Sequence, residues 1–112
     1  MIKQSSLYTI LATAVLVGCA APNQQNGVEI RQVSKIVLSK TGMEKYVEFR
    51  QTAPVYSAMY VTSDGRGGGR SRGDKNLVQS KENALENCRY FNPEKSCILY
   101  AVAVPEKSET YE

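Results

Sequence analysis

At 112 residues, with 14 basic against 11 acidic side chains and a formal net charge of +3, the chain has room for one small domain, and its global charge selects no partner. It contains no histidine, which removes the usual general base near neutral pH and the imidazole that would complete a zinc set with its three cysteines. No serine lies in a recognisable nucleophile turn, and the scattered carboxylates form no evident catalytic pair, so a non-enzymatic role without a cofactor is expected.

The N-terminal segment carries Lys3 and then an apolar stretch from Leu7 to Val17 that ends at Gly18. As a helix that stretch would be about 17 Å long, short of the roughly 30 Å hydrocarbon core of a bilayer. Charge, grease and a small-residue stop in this order read as a cleavable signal over residues 1–18. Leu16-Val17-Gly18-Cys19 resembles the lipobox of bacterial lipoproteins. That resemblance implies diacylglycerol on the Cys19 sulfur, palmitate-type acylation at the new N-terminus and membrane attachment through the acylated cysteine. Ala20, rather than an aspartate, follows the cysteine, and this resembles lipoproteins sorted to the outer membrane. The expected location is therefore the bacterial cell envelope.

Residues 19–27 are small, polar or helix-breaking, with Pro22, a run of Asn and Gln, and Gly27; they read as a tether. A single α+β domain is expected over 28–105. Its predicted architecture is a small antiparallel sheet of three to four strands, with one helix packed on one face and a helix-to-strand disulfide.

Val28 to Leu38 carries β-branched and apolar residues with imperfect alternation and is expected to be a strand. Thr41-Gly42 reads as a break, Tyr46 to Arg50 as a short strand, and Thr52-Ala53-Pro54 as an interruption, because proline cannot donate to a ladder. Val55 to Thr62 is the strongest strand: both of its faces are apolar or small, the pattern of a central position. Asp64 to Asp74 has no apolar residue to bury and is expected to be a mobile connecting loop.

A helix follows, with Asp74 or Asn76 able to cap it; Leu77, Val78, Ala84, Leu85 and Cys88 recur at helical spacing. Asn92-Pro93 stops it. Ile98 to Val104 forms the last strand, which Pro105 ends, and residues 106–112 read as a polar tail. The expected core presses Leu77, Ala84 and Leu85 onto Met59, Val61, Leu99 and Ala101. Tyr56 and Tyr60 share a strand face that Tyr100 could join, and the N-terminal strands are expected to cover it.

In an exported chain, an even pair such as Cys88 and Cys97 is usually a disulfide. Closing that loop is worth roughly 2.7 kcal/mol of denatured-chain entropy. The spacing is not that of a C-x-x-C redox motif. Ala84-Leu85, Cys88 and Cys97-Ile98-Leu99-Tyr100-Ala101-Val102 are also similar to small exported bacterial domains whose helix ends in one cysteine and whose last strand opens with another. This likeness runs from Tyr56 to Val104; it implies an extracytoplasmic α+β fold and supplies no activity.

Arg66, Arg70, Arg72 and Lys75, set among glycines, form the one charge cluster that suggests binding. A phosphate-binding P-loop would need a lysine where Asp74 stands. The expected function is a non-catalytic envelope accessory module that contacts an anionic glycan, lipid or envelope protein through this loop, with no nucleic acid involved. The alternative is an inhibitor or small-ligand binder that uses Tyr56 and Tyr60.

Overall fold

A computed structural model describes residues 27–107; the signal segment, Cys19, nearly all of the tether and most of the polar tail lie outside the described residues. Six elements follow in chain order: β1 (Val28–Gln32), α1 (Lys40–Thr52), β2 (Ser57–Thr62), β3 (Gly68–Ser71), α2 (Leu77–Phe91) and β4 (Cys97–Pro105). The strands form one antiparallel sheet in the order β1-β4-β2-β3. Among the described residues no helix is long and apolar enough to cross a membrane.

The fold is α+β with a four-stranded antiparallel sheet, and Cys88 at the end of α2 is bonded to Cys97 at the start of β4, with their Cα atoms 6.3 Å apart. It has two helices, not one. The segment expected to hold a break and a short strand is α1. Ser39 caps it by accepting the Gly42 amide at 3.1 Å, which satisfies one of the donors a helix start leaves open. Tyr46 and Phe49 then fall three residues apart on one buried face. Gly42 sits in the first turn because a Cβ there would stand 3.0 Å from the Gly65 carbonyl oxygen; it accommodates a neighbour and does not end the element. Pro54, just past the Ala53 cap, bars continuation.

The helices cover opposite faces of the sheet. On one face Tyr46 and Phe49 of α1 pack with Val28, Met59, Val61, Tyr100, Ala101 and Ala103. On the other, Leu77 and Ala84 of α2 pack with Ala58, Val102 and Val104. The expected core therefore pairs residues wrongly: Met59, Val61 and Ala101 lie under α1, and Leu85 is only half-buried. Strand alternation sends neighbouring residues to different layers, and a second helix was needed to show which layer each one joins.

A bulge modifies that alternation in β4. Ala101 lies opposite Met59 while Leu99 lies opposite Tyr60, so Tyr100 is the extra residue. The bulge lets Tyr100 join Ala101 on the α1 face, where its ring meets that of Tyr46 edge-on at 5.0 Å and 88°. Tyr56 and Tyr60 pack with the α2 layer instead. Tyr56 and Tyr60 thus share the α2 side while Tyr100 does not join them, and helices, not N-terminal strands, cover both sides.

The expected mobile loop is also corrected, since Gly68–Ser71 is an edge strand paired with β2. Its lack of apolar side chains has a steric cause: a Cβ on Gly69 would stand 2.2 Å from the Cys88 amide nitrogen and 2.8 Å from the Ala84 carbonyl oxygen. Here helix backbone rests directly on strand backbone, so no alternating hydrophobic pattern is needed.

Candidate binding groove

The β2–β3 turn is held by a small polar network. The Thr62 hydroxyl donates to Asp64 Oδ1 at 2.6 Å, the Arg66 amide donates to the same oxygen at 3.0 Å, and the Gly67 amide donates to Thr62 Oγ1 at 2.9 Å. Lys95 Nζ lies 2.9 Å from Asp64 Oδ2. The Thr62 hydroxyl first, then Lys95 and the Arg66 amide, hold the Asp64 carboxyl well below the usual carboxylate range. At the other end of β3, the Ser71 hydroxyl lowers Asp74, and Asn83 donates to Asp74 Oδ1 at 3.1 Å. The Gly/Arg segment is therefore pinned at both ends.

Between these pins and α1 lies a groove of about 550 Å³. Met59, Tyr60 and Val61 of β2 line it, Thr41, Gly42 and Lys45 of α1 form one wall, and Asn87, Phe91 and Asn92 close it from the α2 side. Arg66, Arg70 and Arg72 complete the lining with the glycines between them. Lys45 and the three arginines put four cations in the groove, and no lining residue is a carboxylate.

Two of these cations are partly engaged. Arg70 Nη1 lies 3.3 Å from Glu48 Oε1, and Arg72 donates to Thr52 Oγ1 at 2.5 Å. Lys45 and Arg66 form no ion pair among the described residues. The outer carbonyls of β3 are occupied: Asn87 Nδ2 donates to the Arg70 oxygen at 2.7 Å and Asn92 Nδ2 to the Gly68 oxygen at 3.5 Å. The edge is thereby blunted against strand addition.

Of the residues singled out in the sequence, Arg66, Arg70, Arg72 and Tyr60 come together in the groove. Lys75 is exposed and lies outside the lining, and Tyr56 packs with the α2 layer, its φ of 66° being left-handed. Lys45 and Phe91 are the residues that sequence reasoning missed. Lys45 became visible only with α1, whose sequence signal was the Ser39 cap followed by Tyr46 and Phe49 at helical spacing. Phe91 could have been noted as an aromatic at a helix end just before Asn92-Pro93.

Chemically, the lining offers cations and hydrogen-bond donors to a ligand rich in acceptors. Among the described residues no group of three His, Cys, Asp or Glu is placed to hold a metal ion. The chain matches no protein-family model, no curated protein and no solved structure.

Proposed function

We propose that this protein is a lipid-anchored, non-catalytic accessory module of a bacterial cell envelope, and that it captures an anionic partner in the groove between α1 and β3. The observation that carries this reading is the convergence of Lys45, Arg66, Arg70 and Arg72 on one cavity with no lining carboxylate. Opposite charge in a partly enclosed site is attracted more strongly than on an open surface, where water and salt screen it. The Leu16 to Cys19 motif supports the anchor, and the Cys88–Cys97 bond fits an exported chain.

Intact mass measurement of the exported protein should find acyl chains on Cys19. The R66A/R70A/R72A variant should lose retention of lipopolysaccharide and peptidoglycan at low salt. Equal retention by the wild type and the triple variant overturns the groove as the contact surface.

A further inference from the structure

We infer that the outer edge of β3 is a site for two oxyanion groups of one ligand, set about 7 Å apart and held by the main-chain amides of Gly68 and Arg70. The inference rests on the proposed capture of an anionic partner in the groove and deepens it, adding the donors that bind, the functional group they take and its spacing.

The donors follow from register. The Thr62 amide donates to the Gly67 carbonyl at 2.8 Å, so these two residues form a hydrogen-bonded pair of the β2–β3 ladder. In an antiparallel ladder such pairs alternate with pairs whose main-chain groups turn outward. Tyr60 with Gly69 and Ala58 with Ser71 continue the bonded set, while Val61 with Gly68 and Met59 with Arg70 fall between. The amides and carbonyls of Gly68 and Arg70 therefore point away from β2, along the open edge of the sheet. Their carbonyls are taken by the Asn92 and Asn87 side chains. Their amides have no acceptor among the described residues.

An edge in this state offers donors without acceptors. A peptide strand needs both in alternation, whereas an oxyanion brings acceptors alone. Gly68, Arg70, Asn87 and Asn92 all line the groove, so its space opens onto this edge. The same lining brings Lys45, Arg66 and Arg72 and no carboxylate, which favours negative charge there, and a main-chain amide binds a charged oxygen more strongly than a neutral one.

The spacing follows from the strand. Gly68 and Arg70 are two residues apart, so their amides point the same way about 7 Å from each other. The oxygens of a single phosphate or carboxylate lie far closer together than that, and one group cannot serve both amides. An extended ligand that carries charged groups at this interval serves both, and the site accepts phosphate and carboxylate by the same hydrogen bonds.

The test uses the full-length protein in nonionic micelles, which bring no oxyanion of their own. The probes are alkane diphosphonates and alkane dicarboxylates of graded length, added at low salt. The Gly68 and Arg70 amide proton resonances should move downfield together. Affinity should peak, about tenfold above the shortest member, where the charged groups stand about 7 Å apart. A peak in one series names the group as phosphate or carboxylate, and equal peaks assign a site that takes either. R70A loses the guanidinium and keeps the amide; R70P loses both, and an edge position whose amide faces outward tolerates proline. R70P should bind about tenfold more weakly than R70A; if R70P does not fold, the amide shifts and the length profile decide. Unmoved amides, affinity independent of length, equal binding by R70A and R70P, or no binding by either series overturns the inference. The two levels separate: binding that R66A/R70A/R72A abolishes while both amides stay unmoved sinks the edge site alone. Failure of both series, together with equal retention of lipopolysaccharide and peptidoglycan by the wild type and that triple variant, sinks the capture reading as well.

Discussion

The amide nitrogen of Cys88 lies against Gly69 so closely that a Cβ on the glycine would stand 2.2 Å from it. The last turns of α2 are thus seated on the backbone of β3, and the same cysteine is bonded to Cys97 of β4. One residue fastens the helix to the edge strand by contact and to a central strand by covalent bond, and Gly69, at the first of these, lines the groove.

Replacing Gly69 with alanine should destabilise the domain by about 1–3 kcal/mol, the range of an overpacked site. The obstructing atoms belong to helix backbone, which cannot rotate away as a side chain could. Urea unfolding of G69A against the wild type measures the loss, and an unchanged midpoint would contradict the backbone contact.

Removing the disulfide as C88S/C97S should cost roughly 2.7 kcal/mol in the chain-entropy model. The variant should also expose Asn87 and Asn92 amides more readily to hydrogen exchange, since α2 loses its tie to β4. Equal stability of the oxidised wild type and the double variant would show that the bond adds nothing to the fold.

The Phe49 side chain is fully buried under the sheet, so F49A should lose about 3–5 kcal/mol. V47A, on the exposed side of the same helix, should change stability by about 0.5 kcal/mol or less. Similar losses at the two positions would argue against the packing of α1 described above.

Acid should weaken the fold in part through Asp64. Its carboxyl titrates below the ordinary value of 3.8 when folded, so the unfolded chain binds the proton first as pH falls. The stabilisation is complete above the unfolded value and is lost as pH descends toward the folded one. Asp74 is shifted in the same direction. Denaturation midpoints between about pH 6 and pH 3 should therefore fall less steeply in D64N than in the wild type; parallel curves would remove Asp64 from the acid response.

Much of the α+β plan was legible because it rests on local signals. Leu77, Ala84 and Cys88 recur at helical spacing, Asn92-Pro93 stops α2, and the dense apolar stretches of β2 and β4 mark strands, the first of them by its two apolar or small faces a central one. Two of the errors, the missed α1 and the missed β3, share a cause. Gly42 and the glycines of β3 read as breaks because glycine weakens isolated helices and strands, yet here each accommodates a close neighbour. The Gly65 carbonyl meets Gly42, and α2 backbone meets Gly69. Lys45 stayed hidden with α1, although Arg66, Arg70 and Arg72 were visible as a cluster.

The order of residues alone determined the pairing of Cys88 with Cys97, the strand and helix at the centre of the domain, and the basic character of the segment that borders the groove; each depends on residue type and short-range spacing. Only the tertiary structure decided that two helices take opposite faces, that Tyr100 turns away from Tyr60, and that Lys45 joins Arg66 in lining one groove. Those relations join residues far apart in the chain, and they arise from backbone approach, strand register and a one-residue bulge, none of which leaves a periodic trace in the sequence.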